Sequence, residues 1–116
     1  MQTTIALVVK FAITFLAAVL SFYLLDNNTM GWVAIVALAG TALNYLLGDL
    51  VVLPRMGNIT ASVGDGLMGA IIAYAFTFIV PAFRVSWASL LLFAVLIVVA
   101  EYAFHMYLKR SEKVAP

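Results

Sequence analysis

Five ionisable side chains stand within otherwise apolar stretches of this sequence, and their types could carry acid–base or ion-binding chemistry. They are Lys10, Asp49, Asp65, Glu101 and His105. An ionised side chain at the centre of a membrane costs about 2.5–3.5 kcal/mol on insertion scales, so such residues usually face one another or water. A carboxylate that lacks a full counter-charge can take up a proton or hold a cation. These residues are therefore the first candidates for a functional site.

The segments that carry these residues predict membrane-spanning helices. Of the 116 residues, 66% are apolar and 9% are charged, whereas soluble domains average about 45–50% and about 25%. A helix needs about 20 mostly apolar residues to cross a bilayer, and the segments at roughly 4–25, 31–50, 62–81 and 86–108 meet that requirement. No segment alternates with the period of two that strands show. We predict an all-α integral membrane protein, a four-transmembrane-helix bundle with a single domain over residues 1–116.

The distribution of lysine and arginine predicts which ends of the spans face the cytoplasm. Arg55 lies in a predicted cytoplasmic loop at 51–61, and three further cations lie in a predicted cytoplasmic tail at 109–116. The turn after the first span, DNNTM, carries no cation. We therefore expect an N-in and C-in orientation, in which Lys10, Asp49, Asp65 and Glu101 all fall in the inner-leaflet half.

Two interpretations of this group stay open at the level of sequence. In the first, it forms a cytoplasm-facing polar site in which Lys10 pairs with Asp65 or Glu101 and the remaining acid binds a proton or a cation. In the second, it is a structural ion-pair cluster that fixes the order and rotation of the helices. Asp49 is near enough to the membrane surface to reach water, which favours a structural role for that residue. Asn44 supplies an amide near the acids.

The spacing of Glu101 and His105 argues against a metal site. The two residues are four apart, which places them on one face of a helix. Carboxylate-bridged metal sites in four-helix bundles instead use Glu-x-x-His pairs from two helices together with further glutamates. From the sequence we expect no metal, and we interpret His105 as an interfacial residue. Without cysteine or a nucleotide-binding motif, we also expect no cofactor and no enzymatic activity.

The stretch Gly48–Gly69, GDLVVLPRMGNITASVGDGLMG, joins the second and third spans. Pro54 cannot continue the hydrogen-bond ladder of a helix, so the second helix is predicted to end before it. Asn58 or Thr60 is expected to cap the third span. Arg55 is expected to contact a lipid headgroup, with Asn58 near it in the loop.

This stretch resembles the YndM-like family of small four-span membrane proteins of spore-forming Gram-positive bacteria, a domain of unknown function. The resembling pattern is an acid that ends the second span, a proline, a Gly-Asn pair and an acid early in the third span. Here these are Asp49, Pro54, Gly57-Asn58 and Asp65. The resemblance implies a four-span topology and a bacterial plasma membrane, and it implies no activity. Small multidrug transporters share the length and span number, but Lys10 stands in the span where they carry their essential glutamate.

The leading hypothesis for function is a small transporter- or channel-like protein with an inner-leaflet polar site. Four short helices do not easily enclose a pathway, so we expect a homo-oligomer in the lipid bilayer, with a dimer favoured. The alternative is a non-catalytic interaction or accessory protein whose charge cluster is structural. A net charge of +1 gives no indication of nucleic-acid binding.

Overall fold

Four helices make up the computed structural model, which describes residues 3–110 and the side chains of residues 3–106. They are α1 (Thr3–Tyr23), α2 (Met30–Met56), α3 (Asn58–Ile79) and α4 (Trp87–Arg110). No strand occurs among residues 3–110, and each helix is long and apolar enough to cross a membrane. The prediction of an all-α fold with four helices able to span a membrane is therefore confirmed. The part of the predicted tail that follows Arg110 lies outside the described residues.

The two ends of the bundle differ in polarity. At the end that carries the α1–α2 and α3–α4 turns, aromatic side chains form the core, with Phe22 packed against Phe83 and Phe93 at ring-centroid distances of 5.5 and 4.9 Å. At the other end, where α1 begins and α2 passes into α3, charged and polar side chains are buried. We call the first end the loop end and the second the cluster end. The bundle thus confines its buried charges to one half of its length.

Small residues allow α3 and α4 to pack closely. A Cβ atom on Gly66 would lie 2.6 Å from the carbonyl oxygen of Ala94, and a Cβ atom on Gly69 would lie 3.0 Å from the ring of Phe93. Helix pairs in membranes commonly approach over such small residues, because lipid provides no hydrophobic drive for larger ones to associate. The small-residue stripe of α3 therefore fixes the helix that carries Asp65 against the helix that carries Glu101.

One asparagine ties the two turns of the loop end together. The Asn28 amide donates hydrogen bonds to the carbonyl oxygens of Phe22 (3.0 Å) and Arg84 (2.6 Å), and its Oδ1 accepts one from the Arg84 backbone N–H (2.7 Å). The side chain is buried. A buried amide that uses both its donor and its acceptor in this way satisfies backbone groups that the irregular turns leave free.

We expect the Asn28→Ala variant to lose about 2 kcal/mol of unfolding free energy, since backbone groups of both turns lose a partner while they stay buried. Unfolding of the purified protein in mixed micelles by increasing SDS measures this loss. Thr29→Ala is the matched control, because Thr29 is exposed and makes no side-chain capping bond. Equal stability of the two variants would contradict the role given to Asn28.

The connection between α2 and α3 differs from the prediction. The loop predicted at 51–61 is wrong, because α2 continues through Pro54 to Met56 and α3 begins at Asn58. Pro54 stands in the first turn of the short α-helical segment Leu53–Met56 that ends α2, and the first turn is where a helix tolerates proline. Gly57 alone reverses the chain, with a φ of 87° that other residues rarely adopt.

Capping of α3 also differs from the prediction. Gly57 is the N-cap residue, and no side chain caps the helix. Asn58 is instead the first residue of α3, and its amide donates to the carbonyl oxygen of Tyr102 on α4 (3.0 Å). Its half-buried side chain is therefore held against α4 rather than at the first amides of its own helix.

Candidate functional site: a buried charge cluster

Each of the four helices contributes to one group of buried ionisable side chains at the cluster end. We call this group the charge cluster, and its members are Lys10 on α1, Asp49 on α2, Asp65 on α3, and Glu101 and His105 on α4. All five side chains are at most 1% exposed. The structure therefore brings together the ionisable residues that the sequence places in the spans.

Lys10 holds two of the three acids. Its Nζ donates to both oxygens of Glu101, at 2.7 and 2.9 Å, and lies 2.8 Å from Asp49 Oδ2. The amide of Asn44 approaches Glu101 Oε2 at 3.5 Å, so Asn44 lies beside the acids as predicted. Of the two partners considered from the sequence, Lys10 therefore pairs with Glu101 and not with Asp65.

His105 faces the acids with one ring nitrogen. Its Nε2 lies 2.8 Å from Asp49 Oδ1, 3.2 Å from Asp65 Oδ2 and 3.6 Å from Glu101 Oε1. The imidazole is fully buried, so the interpretation of His105 as an interfacial residue is wrong. His105 lies within one turn of the predicted tail but does not reach water, because α2 and α3 pack over it with Asp49 and Asp65.

The other ring nitrogen of His105 is held by α3. Nδ1 lies 3.0 Å from Asn58 Oδ1 and 3.2 Å from Ser62 Oγ, and Ser62 Oγ donates to Asn58 Oδ1 at 3.0 Å. Because the Asn58 carbonyl oxygen only accepts hydrogen bonds, this geometry places a hydrogen on Nδ1. Asn58, predicted as a headgroup or loop contact, therefore orients the histidine of the charge cluster.

Asp65 is the acid with the least compensation. Neither of its oxygens accepts a hydrogen bond from a described residue. His105 Nε2 lies within ion-pair distance of Oδ2, but a single N–H on that nitrogen is taken by Asp49, the nearer acceptor. Gly48 lies directly against Oδ1, since a Cβ atom there would clash with that oxygen. Asp65 is thus buried, unpaired by Lys10 and directed into the cluster.

A local change of helix type brings Asp49 into the cluster. Residues Asn44–Val52 of α2 form a π-helix, in which i→i+5 hydrogen bonds wind more residues into each turn than an α-helix does. Residues four and five apart, such as Asn44, Gly48 and Asp49, consequently share the buried face. The expectation that Asp49 reaches water is wrong, because this winding turns it inward and α2 extends beyond it to Met56.

The sequence interpretation missed two residues of the site. Ser62 supports Asn58 and His105, and Gly48 makes room for Asp65. The signal available for Ser62 was its i, i+4 spacing from Asn58, which places the two on one helical face. Arg55 is exposed, and its contact with a lipid headgroup stays a prediction.

The cluster has an excess of negative charge. Its carboxylates outnumber the single lysine by two when His105 is neutral and exceed both cations by one when His105 is protonated. An uncompensated charge at this depth is strongly unfavourable. The arrangement can therefore hold a proton or a metal cation, because either would bring its charge closer to balance.

Comparison with known proteins places the chain in a family. A family model described as "Protein of unknown function (DUF2512)" matches residues 1–114. A protein of Bacillus subtilis (strain 168) named "Uncharacterized membrane protein YndM" is 35% identical over 115 residues, which are 96% of this chain and 63% of that protein. The chain thus spans less than two thirds of the length of that relative. No solved structure matches the chain.

Proposed function

Since the chain belongs to the DUF2512 family, whose function is unknown, we propose a function from the charge cluster. The protein is a small transporter- or channel-like membrane protein in which the cluster binds a proton or a cation. It acts in the bacterial plasma membrane as a homo-oligomer, because four short helices leave little room for a pathway within one bundle. The resemblance in sequence to a Bacillus membrane protein supports the membrane assignment.

One observation carries this proposal: Asp65 is a buried carboxylate whose oxygens accept no hydrogen bond from the described residues, with His105 Nε2 3.2 Å from Oδ2. If the cluster served stability alone, a neutral asparagine or an apolar residue at this position would serve better. Ionisable residues within membrane spans commonly mark ion pathways and proton relays. Asp65 is therefore the residue that we assign to binding the transported ion, with Glu101 and Lys10 setting the charge around it.

A different observation, the complete burial of the charge cluster, favours a second function. All five side chains are at most 1% exposed, and Lys10 bridges Asp49 and Glu101 across three helices. These features suit an accessory or interaction protein whose cluster holds the bundle together. This function predicts no flux and a loss of stability when any acid of the cluster is neutralised.

Asp65→Asn separates the two functions. The variant keeps the size of the side chain and removes a charge to which no described residue donates a hydrogen bond, so we expect it to fold normally and to lose ion flux. Reconstituted liposomes with an interior pH dye and an imposed ion gradient measure the flux. Asp26→Asn, at the loop end, is the control and keeps the flux. Absence of flux in the unmodified protein, together with a stability loss in Asp65→Asn, would favour the accessory function.

The orientation belongs to the same proposal, with both chain ends in the cytoplasm. It is supported by Arg55 and the cationic tail, which follow the positive-inside rule. Because the chain has no cysteine, single cysteines can report sidedness. We expect Ala82→Cys, in the exposed α3–α4 turn, to react with a membrane-impermeant maleimide in intact cells. Met56→Cys should react only after the cells are opened, and the reverse pattern would invert the topology.

A further inference from the structure

We infer that the charge cluster is a binding site for one divalent transition-metal cation of the Zn²⁺ or Mn²⁺ type. The ligands are one oxygen each from Asp49, Asp65 and Glu101, and Nε2 of His105. This inference rests on the proposed function for its site, and it names the class of ligand that the site takes. It concerns binding, which can be measured whether or not the protein transports anything.

The donor atoms lie near the separation that such an ion requires. One ligand atom from each of the four residues lies within 4.8 Å of all the others. The distances from His105 Nε2 to the three carboxylates run from 2.8 to 3.6 Å. Metal bonds of about 2.0–2.2 Å place neighbouring ligands about 3.0–3.5 Å apart in tetrahedral or octahedral shells. Small side-chain adjustments therefore suffice to bind the ion.

The fixed tautomer of His105 points to a cation. With the hydrogen of the neutral ring on Nδ1, directed to Asn58 Oδ1, the lone pair of Nε2 faces Asp49 Oδ1 and Asp65 Oδ2. A lone pair surrounded by carboxylate oxygens is repulsive unless a proton or a metal ion lies between them. Histidine ligands in metal sites characteristically donate their other N–H to a neighbouring oxygen, as here.

Asp65 supplies the independent indication of a missing ligand. Its side chain is 1% exposed, and neither oxygen has a hydrogen-bond partner among the described residues. A proton on His105 Nε2 satisfies Asp49, which is the nearer acceptor, and leaves Asp65 uncompensated. A metal ion, in contrast, contacts both acids and the imidazole at once.

The net charge of the cluster and the contact of Lys10 with Asp49 both agree with a divalent ion. A charge of +2 balances the two excess carboxylates of the cluster when His105 is neutral. Lys10 contacts Asp49 through Oδ2, which leaves Oδ1 free to bind a metal. In metal sites, a carboxylate that binds the ion through one oxygen regularly accepts a hydrogen bond on its other oxygen. A mixture of one imidazole with carboxylates suits Zn²⁺, Mn²⁺ or Fe²⁺ better than Mg²⁺ or Ca²⁺.

The spacing of Glu101 and His105, from which we expected no metal, concerns α4 alone. Glu101 and His105 lack the i, i+3 spacing of carboxylate-bridged sites, but the fold adds Asp49 from α2 and Asp65 from α3. Ligands from three helices need no particular spacing within one of them.

Zn²⁺ titration of the full chain tests the inference. The protein is purified in detergent with a removable tag that contains no histidine, stripped with a chelator, and titrated in competition with a chromophoric chelator. We expect one Zn²⁺ per chain, and we expect Asp65→Asn and His105→Gln each to weaken binding at least 10-fold. Co²⁺ should give the visible absorption of a bound ion, and excess Mg²⁺ should not displace Zn²⁺.

Two further variants guard against a purely structural effect. Asn58→Ala touches no ligand atom of the proposed ion, yet it frees the His105 ring and should weaken binding about 10–100-fold. Asp26→Asn removes an acid at the loop end and should leave binding unchanged. Absence of stoichiometric binding by the folded protein, shown helical by circular dichroism, would overturn the inference, as would unchanged binding in Asp65→Asn.

The metal inference and the proposed function fail in different ways. Stoichiometric Zn²⁺ binding without ion flux in liposomes would support the site and remove the transport function. Flux that needs Asp65 but occurs in a protein that binds no Zn²⁺ would support transport and overturn the metal, leaving a proton as the ion bound at the cluster.

Discussion

The Lys10→Met variant is expected to lose about 3–5 kcal/mol of unfolding free energy, the range found when one partner of a buried ion pair is removed. Lys10 is fully buried and provides the cation for both Glu101 and Asp49. Methionine fills a similar volume but leaves these carboxylates facing each other at membrane depth. The loss should therefore come from charge and not from packing.

Unfolding by SDS in mixed micelles measures this loss, and a double-mutant cycle locates its source. When Glu101→Gln is added to Lys10→Met, part of the stability should return, because one of the unpaired carboxylates becomes neutral. Asp65→Asn is the matched control within the same cluster and should change stability by less than about 1 kcal/mol, since no described residue donates a hydrogen bond to Asp65. Equal losses in Lys10→Met and Asp65→Asn would contradict the pairing described here.

The architecture was predictable because composition alone determines it. Four apolar segments of about 20 residues have few arrangements in a bilayer other than helices, and their order placed Lys10, Asp65 and Glu101 near the same end. The sequence offered Asp65 and Glu101 as partners of Lys10, and the structure has the second. These conclusions need only the spacing of charges along straight helices, which the sequence provides directly.

The details of the site depend on features that residue spacing does not report. Asp49 is buried because α2 changes to π-helical winding before it and continues past Pro54, whereas a proline normally predicts the end of a helix. The burial of His105 has the same origin. Because α2 and α3 meet at Gly57 without a loop between them, Asp49 of α2 and Asp65 of α3 both pack against the imidazole. Asn58 was assigned to that absent loop, and so its contact with His105 could not be anticipated.

The packing of α3 against α4 determines whether Asp65 can meet Glu101 and His105. Gly66 follows Asp65 and faces the backbone of α4, where a Cβ atom would lie 2.6 Å from the carbonyl oxygen of Ala94. Backbone atoms of a helix cannot move aside as a flexible side chain does. A larger residue at this position must therefore separate the two helices, and the separation should reach the charge cluster one residue away.

We expect Gly66→Val to cost about 3 kcal/mol of unfolding free energy, the upper end of the range for overpacked interiors. Gly64→Val is the matched control, because a Cβ atom on Gly64 meets nothing within 4 Å. SDS unfolding of both variants measures the difference. If the charge cluster binds Zn²⁺, Gly66→Val should also weaken that binding while Gly64→Val does not, because only the first moves Asp65 away from His105. Similar stability of the two variants would show that α3 and α4 are not in the close contact that positions the cluster.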